Sequence, residues 1–135
     1  MKQVKFFLIL ATMLILITSN SCQKSGGTNN NNTSLKIETS PASGSVQAAA
    51  PGPSFPLTVT ITSTMPSGGV TITVVARPDG STVPFFSTTV NSSNATNNFT
   101  ITGAPSAVVS VVDVTVTSAS NSSDKAAASY KFSRK

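Results

Sequence analysis

From Leu35 to the end of the chain, apolar and polar residues alternate with a period of two. Side chains of an extended backbone point alternately to opposite faces, so this rhythm predicts half-buried strands. Leu35 and Ile37 alternate with Lys36 and Glu38. Leu57, Val59 and Ile61 alternate with Thr58, Thr60 and Thr62, and Val70, Ile72, Val74 and Ala76 repeat the pattern against Thr71, Thr73 and Val75. A weaker segment, Ser81 to Val90, contains Pro84, which removes a ladder donor and favours the edge of a sheet. Phe99 and Ile101 then alternate with Thr100 and Thr102. Val108 to Thr117 is the longest stretch, with Val112, Val114 and Val116 on one face. Its doubled valines suggest either a bulge or a strand apolar on both sides. Ala126, Ala128, Tyr130 and Phe132 set the last strand.

The segments between these runs carry turn chemistry. Pro66-Ser67-Gly68-Gly69 reads as a turn. Arg77-Pro78-Asp79-Gly80 reads as a tight hairpin connection, in which proline presets φ, aspartate bonds the backbone ahead and glycine takes a positive φ. Asn91 to Asn98 and Ser118 to Lys125 read as polar loops. Pro41 to Pro56, rich in Pro, Gly, Ala and Ser, reads as a long irregular connection or a broken edge strand. Seven short strands rich in Thr and Val, punctuated by turns and without helical periodicity, predict an all-β fold: an antiparallel β-sandwich over residues 35–135. The order of strands, ending in Val112-Asp113-Val114-Thr115-Val116-Thr117 and a Ser/Asn turn, resembles an immunoglobulin-like or fibronectin type III-like domain of bacterial surface proteins. The tyrosine-corner position holds Val112, and neither a core tryptophan nor a cysteine pair is present.

The N-terminal pattern is of another kind. Lys2 and Lys5 form a basic head, and Phe6 to Ile17 is apolar except for Thr12. Thr18-Ser19-Asn20-Ser21 then leads into Cys22, the one cysteine of the chain. That order predicts a helical secretory signal over residues 1–21, its apolar run of 12 residues being shorter than the roughly 20 a spanning helix needs. The run Thr18-Ser19-Asn20-Ser21-Cys22-Gln23-Lys24 resembles the signals of Bacteroidetes-type lipoproteins, with Ser19 where leucine is usual. The resemblance implies cleavage before Cys22, acylation of its sulfur with a palmitate-like chain, and attachment to a bacterial membrane, the outer membrane being the expected one. It leaves open whether the periplasmic or the surface face is occupied. Each buried methylene contributes about 0.8 kcal/mol, so one chain binds marginally and two or more hold.

Residues 22–34 are then the acylated cysteine and a flexible linker, since QKSGGTNNNNTS has no apolar residue to offset the entropy of ordering. A coil of that length reaches roughly 20 Å.

Composition narrows the chemistry further. The chain has no histidine and no tryptophan, and its only acidic residues are Glu38, Asp79, Asp113 and Asp124. With Cys22 acylated, neither a serine–histidine nor a cysteine–histidine nucleophile can be assembled. The four carboxyls are far apart in sequence, whereas calcium needs six to eight oxygens and a glycosidase two facing acids. Turn formation and surface ion pairing are their expected roles. No metal or other cofactor is implied, and the expectation is a protein that is not an enzyme. The formal charge of +5 falls further once Lys2 and Lys5 leave with the signal, and the remaining cations are scattered rather than striped, so nucleic acid is not an expected partner.

Phe85-Phe86 is the single candidate binding feature. If this segment is extended, one ring points outward and can stack on a sugar or dock a partner strand; the alternative is that both rings pack. Two functions follow. One is a non-catalytic, lipid-anchored structural, adhesive or assembly module with an envelope protein as partner. The other is a small glycan-binding surface lipoprotein with an exposed aromatic platform.

Overall fold

In the computed structural model, which describes residues 34–135, the alternating segments pair as seven strands. These are β1 (Ile37–Ser40), β2 (Ser54–Ile61), β3 (Val70–Pro78), β4 (Phe86–Ser92), β5 (Thr96–Thr102), β6 (Val109–Ser118) and β7 (Lys125–Ser133). They form two antiparallel sheets, ordered β1-β2-β5 and β4-β3-β6-β7. The fold is the all-β sandwich that the period-two pattern predicts. β4 lies beside β3, as the additional strand of a variable-type immunoglobulin sheet does, and not in the sheet that holds β1 and β2. The signal region, Cys22 and residues 23–33 of the linker lie outside the described residues.

The two inner faces are aliphatic. Leu57, Val59, Ile61 and Ile101 from the first sheet meet Val70, Ile72, Val74, Val112, Val114 and Val116 from the second, and all are buried. Complete burial of such a side chain contributes about 1.5–3 kcal/mol before conformational entropy is set against it. The registers Ile72↔Val116 and Val74↔Val114 place valines and isoleucine side by side across β3 and β6, which stiffens the centre of the larger sheet. Aromatic rings collect toward one end of the core, where Phe55 and Phe132 lie with centroids 4.4 Å apart and Tyr130 adjoins Phe132 at 6.3 Å.

Strand directions define two ends. At one, the backbone N–H of buried Leu35 donates to Asp124 Oδ1 at 2.9 Å, joining the start of the sandwich to the β6–β7 loop. The β2–β3 turn sits at the same end. It closes through Gly69 N–H to the Pro66 carbonyl at 2.9 Å, and Gly69 O accepts from Ala119 at 3.0 Å. Gly69 has φ +75°, and a Cβ there would stand 2.6 Å from the Ser92 carbonyl oxygen, so only glycine fits. The opposite end holds the β3–β4 and β5–β6 connections and the C-terminus.

Five local features differ from, or decide between, the sequence expectations. Residues 41–53 are a broken edge strand: after β1, the segment crosses to the other sheet and runs parallel to β7. Hydrogen bonds from Gly44 N to Ser129 O (2.7 Å), Gln47 N to Lys131 O (2.8 Å) and Ala50 N to Ser133 O (3.1 Å) hold it there. The turn at Pro78–Ser81 forms as expected, with Ser81 N bonded to Pro78 O at 3.0 Å, but it is not a tight hairpin. β4 starts only at Phe86, because Pro84 keeps the preceding residues out of the ladder. The polar loop expected over Asn91–Asn98 contracts to residues 93–95, since cross-strand pairs such as Thr71 with Asn91 (2.8 Å) and Thr58 with Asn98 (2.9 Å) draw the asparagines into strands. β6 has no bulge, its register with both β3 and β7 being continuous. Its doubled valines are two-sided instead, Ser110 taking an inward place while Val109 and Val111 face out.

Two substitutions probe this arrangement. Leu57→Ala, at a fully buried site of β2, is expected to lower unfolding free energy by about 2–5 kcal/mol. Gly69→Ala is expected to lower it by about 1–2 kcal/mol or more through its left-handed backbone alone, with the Ser92 contact adding to the loss. Urea unfolding monitored by circular dichroism measures both; an unchanged midpoint for either variant contradicts the corresponding contact.

Candidate functional site

Cys22 falls outside the described residues. Phe85 and Phe86 are half-buried, and both are packed against the core. Phe86 opposes Ala76 at the first residue of β4, on the inward side. Phe85 lies in the bend before the strand, its N–H bonded to the Ala76 carbonyl at 3.0 Å. Its ring reaches the neighbourhood of Gly103. The segment is therefore not extended through both residues, and the opposite-facing geometry of consecutive strand residues does not apply. All six aromatic residues of the described part are either buried or packed on the core.

The carboxyls hold the fold's surface together. Asp113, on the outer face of β6, pairs with Arg77 of β3. Asp79, in the turn after β3, accepts a hydrogen bond from Lys131 Nζ of β7 at 2.7 Å. That bond holds the Asp79 carboxyl below its ordinary value, with the charge of Lys131, the Gly80 N–H and the charge of Arg77 acting in the same direction. Asp124 receives the Leu35 N–H described above. Among the described residues no group of three His, Cys, Asp or Glu side chains stands close enough to hold a metal ion. Among those residues, too, no helix is long and apolar enough to cross a membrane.

A concavity with mixed chemistry lies where the crossing segment leaves β1. It has a volume of about 390 Å³ and is lined by Ser40, Pro41, Gln47, Phe55, Tyr130 and Phe132, among others. Its polar lining residues are Ser40, Gln47, Thr58 and Tyr130, and Thr58 already donates from Oγ1 to Asn98 Oδ1 at 2.9 Å. Gln47 is already engaged, donating from Nε2 to Ser45 Oγ at 2.8 Å. The Tyr130 hydroxyl is buried and has no hydrogen-bond partner among the described residues. Burial pushes its pKa up from 10.0 to about 12, because the phenolate would be desolvated there. Alternation assigns Tyr130 and Phe132 to the core, and they are core residues. The groove beside them was not legible, because it is made by the path of residues 41–50, a stretch whose Pro/Gly/Ala composition shows irregularity but not direction.

No protein-family model matches the chain, and no curated protein matches it.

Tyr130 gives a direct readout of this region, because the chain has one tyrosine and no tryptophan. Its folded-state pKa is raised, so the stabilisation it provides is complete below pH 10 and is lost as pH rises from 10 toward 12. Alkaline titration of the tyrosinate absorbance is expected to give a midpoint near 12 in the folded protein. Tyr130→Phe is expected to abolish this alkaline limb while changing stability at neutral pH by less than about 1 kcal/mol, since the hydroxyl removed has no partner. A midpoint at the ordinary tyrosine value contradicts the buried position.

Proposed function

We propose that the chain is a non-catalytic, lipid-anchored protein of the bacterial cell envelope, a structural, adhesive or assembly module carried on a short tether. The observation that carries this reading is the order of the first 34 residues. A basic head at Lys2 and Lys5, an apolar run too short to span, small polar residues, Cys22 and an apolar-free linker follow one another without interruption. Each part has a physical role in that order. The apolar run inserts and is removed, the acylated sulfur holds the mature chain on the bilayer, and the linker holds the sandwich away from it.

The sandwich supports the same reading by how its reactive groups are used. Three of its four carboxyls close turns or ion pairs, and its aromatic rings fill or flank the core. A module so built presents strand edges and threonine-rich faces to its surroundings. Recognition by such surfaces rests on backbone pairing and shape more than on a chemical centre.

The test is metabolic labelling with a palmitate analogue, comparing the native chain with Cys22→Ala. Label on the native chain and none on the variant is the expected result, together with loss of the protein from the membrane fraction. Absence of label on both overturns the anchor.

A further inference from the structure

The four sheet edges of the sandwich are not equally guarded. β1 is only four residues long and carries Glu38, beside Lys36. β7 carries Lys125 and Lys131, and its outer edge is covered by the parallel segment 44–50. Short length, charge and cover are the usual means of keeping an edge from pairing with another chain. β4 and β5 have none of them. Each is seven residues long, and from Gly80 to Val112 the chain contains no Asp, Glu, Lys or Arg. Pro84 lies before β4 and not within it. Among the described residues, β4 pairs only with β3 and β5 only with β2, so each presents an unpaired row of backbone groups.

Side chains distinguish the two. In β5, Phe99 and Ile101 are already covered, Ile101 completely. Asn97 is tied to Ser92 Oγ at the end of β4 at 2.6 Å and to the Asn94 carbonyl of the β4–β5 loop at 2.9 Å. β4 instead leaves Val90 uncovered. Val90 opposes Ile72 and shares its inward face, yet Ile72 is fully buried and Val90 is 40% exposed. An apolar side chain on the core face of an unpaired, uncharged strand calls for a further strand alongside.

We propose that β4 is a self-association edge, pairing antiparallel with β4 of a second copy of this chain about a two-fold axis at Thr89. In that register Thr89 faces Thr89 of the second copy, Ser87 faces Asn91, Thr88 faces Val90 and Phe86 faces Ser92. An isologous contact sets every residue against its own strand, so a charged edge opposes like charges or must stagger to avoid them. This strand carries no charge, threonine opposite threonine is a favourable cross-strand pair, and Val90 of each copy is covered by Thr88 of the other. The larger sheet becomes an eight-stranded sheet continuous across both molecules. The contact is smaller than the ~1,600 Å² of a standard stable interface, so it is concentration-dependent.

Disulfide trapping in the full chain, on a Cys22→Ala background in mild detergent, tests this independently of the anchor. Opposed Cβ atoms across antiparallel strands lie about 4.5–5.5 Å apart, within reach of a bridge after small adjustment. Thr89→Cys is expected to give a dimer on a non-reducing gel after oxidation, whereas Thr100→Cys, on the outer face of β5, is not. Mixing Ser87→Cys chains with Asn91→Cys chains is expected to give more dimer than either alone. In sedimentation at increasing concentration, Thr89→Lys is expected to stay monomeric where the unsubstituted strand associates. Equal trapping at Thr100, no trapping at Thr89, or association unaffected by Thr89→Lys overturns the proposal. Should Thr89→Lys fail to fold, the trapping experiments decide alone.

Discussion

The structure depends on one interlock, the meeting of two aliphatic sheet faces across which no polar bond runs between the central strands. Leu57, Val59 and Ile61 on one side and Ile72, Val74, Val114 and Val116 on the other are held by exclusion of water and by close packing. Immunoglobulin domains often reinforce this plane with a disulfide and a tryptophan. This chain has neither, and β-branched side chains stand in their place. Such residues lose little rotamer freedom on entering a strand, so a small core built from them gives up less entropy than one built from long flexible side chains.

Apart from buried Ser110, Ser118 and the Tyr130 hydroxyl, the polar side chains are arranged around that plane. The outer faces carry threonine, serine and asparagine, bonded across strands as Thr58–Asn98, Thr71–Asn91 and Thr73–Thr89. The few charges pair across strands or tie a strand to a turn. Arg77–Asp113 and Lys131–Asp79 bridge β3, β6 and β7 near the C-terminal end, and Asp124 secures Leu35 at the other. Partly exposed pairs of this kind contribute modestly to stability. Their effect is on geometry, setting which strand lies beside which turn.

Most of the fold was legible because burial on one face leaves a period of two. Inward residues of β3, β6 and β7 and Leu57, Val59 and Ile61 of β2 follow from alternation, and the edge position of β4 follows from Pro84. Inward Phe55 of β2 lies instead in the stretch that composition marks as irregular. What alternation could not supply was pairing. Asn91, Asn97 and Asn98 look like loop residues by composition, yet cross-strand hydrogen bonds place them in β4 and β5. Proline marked an edge but could not show that β4 would begin two residues beyond it. The groove beside Tyr130 depends on residues 41–50 changing sheets, a long-range event with no local signature. Phe85 and Phe86 read as a candidate pair because two adjacent rings in a strand must diverge, and the bend at Phe85 removes that requirement.

The crossing segment has a mechanical consequence. The domain begins at Leu35 at one end and finishes at Lys135 at the other, and residues 44–50 run parallel to β7. Tension applied between the two ends of the domain loads β1 on β2 first and, once that pairing yields, pulls segment 44–50 lengthwise against β7. The hydrogen bonds at Gly44, Gln47, Lys131 and Ala50 lie across that direction and share the load, and none can open before the others are stretched. A peeling pull would break them singly. The path of these few residues sets a row of bonds in shear along the line joining the two ends.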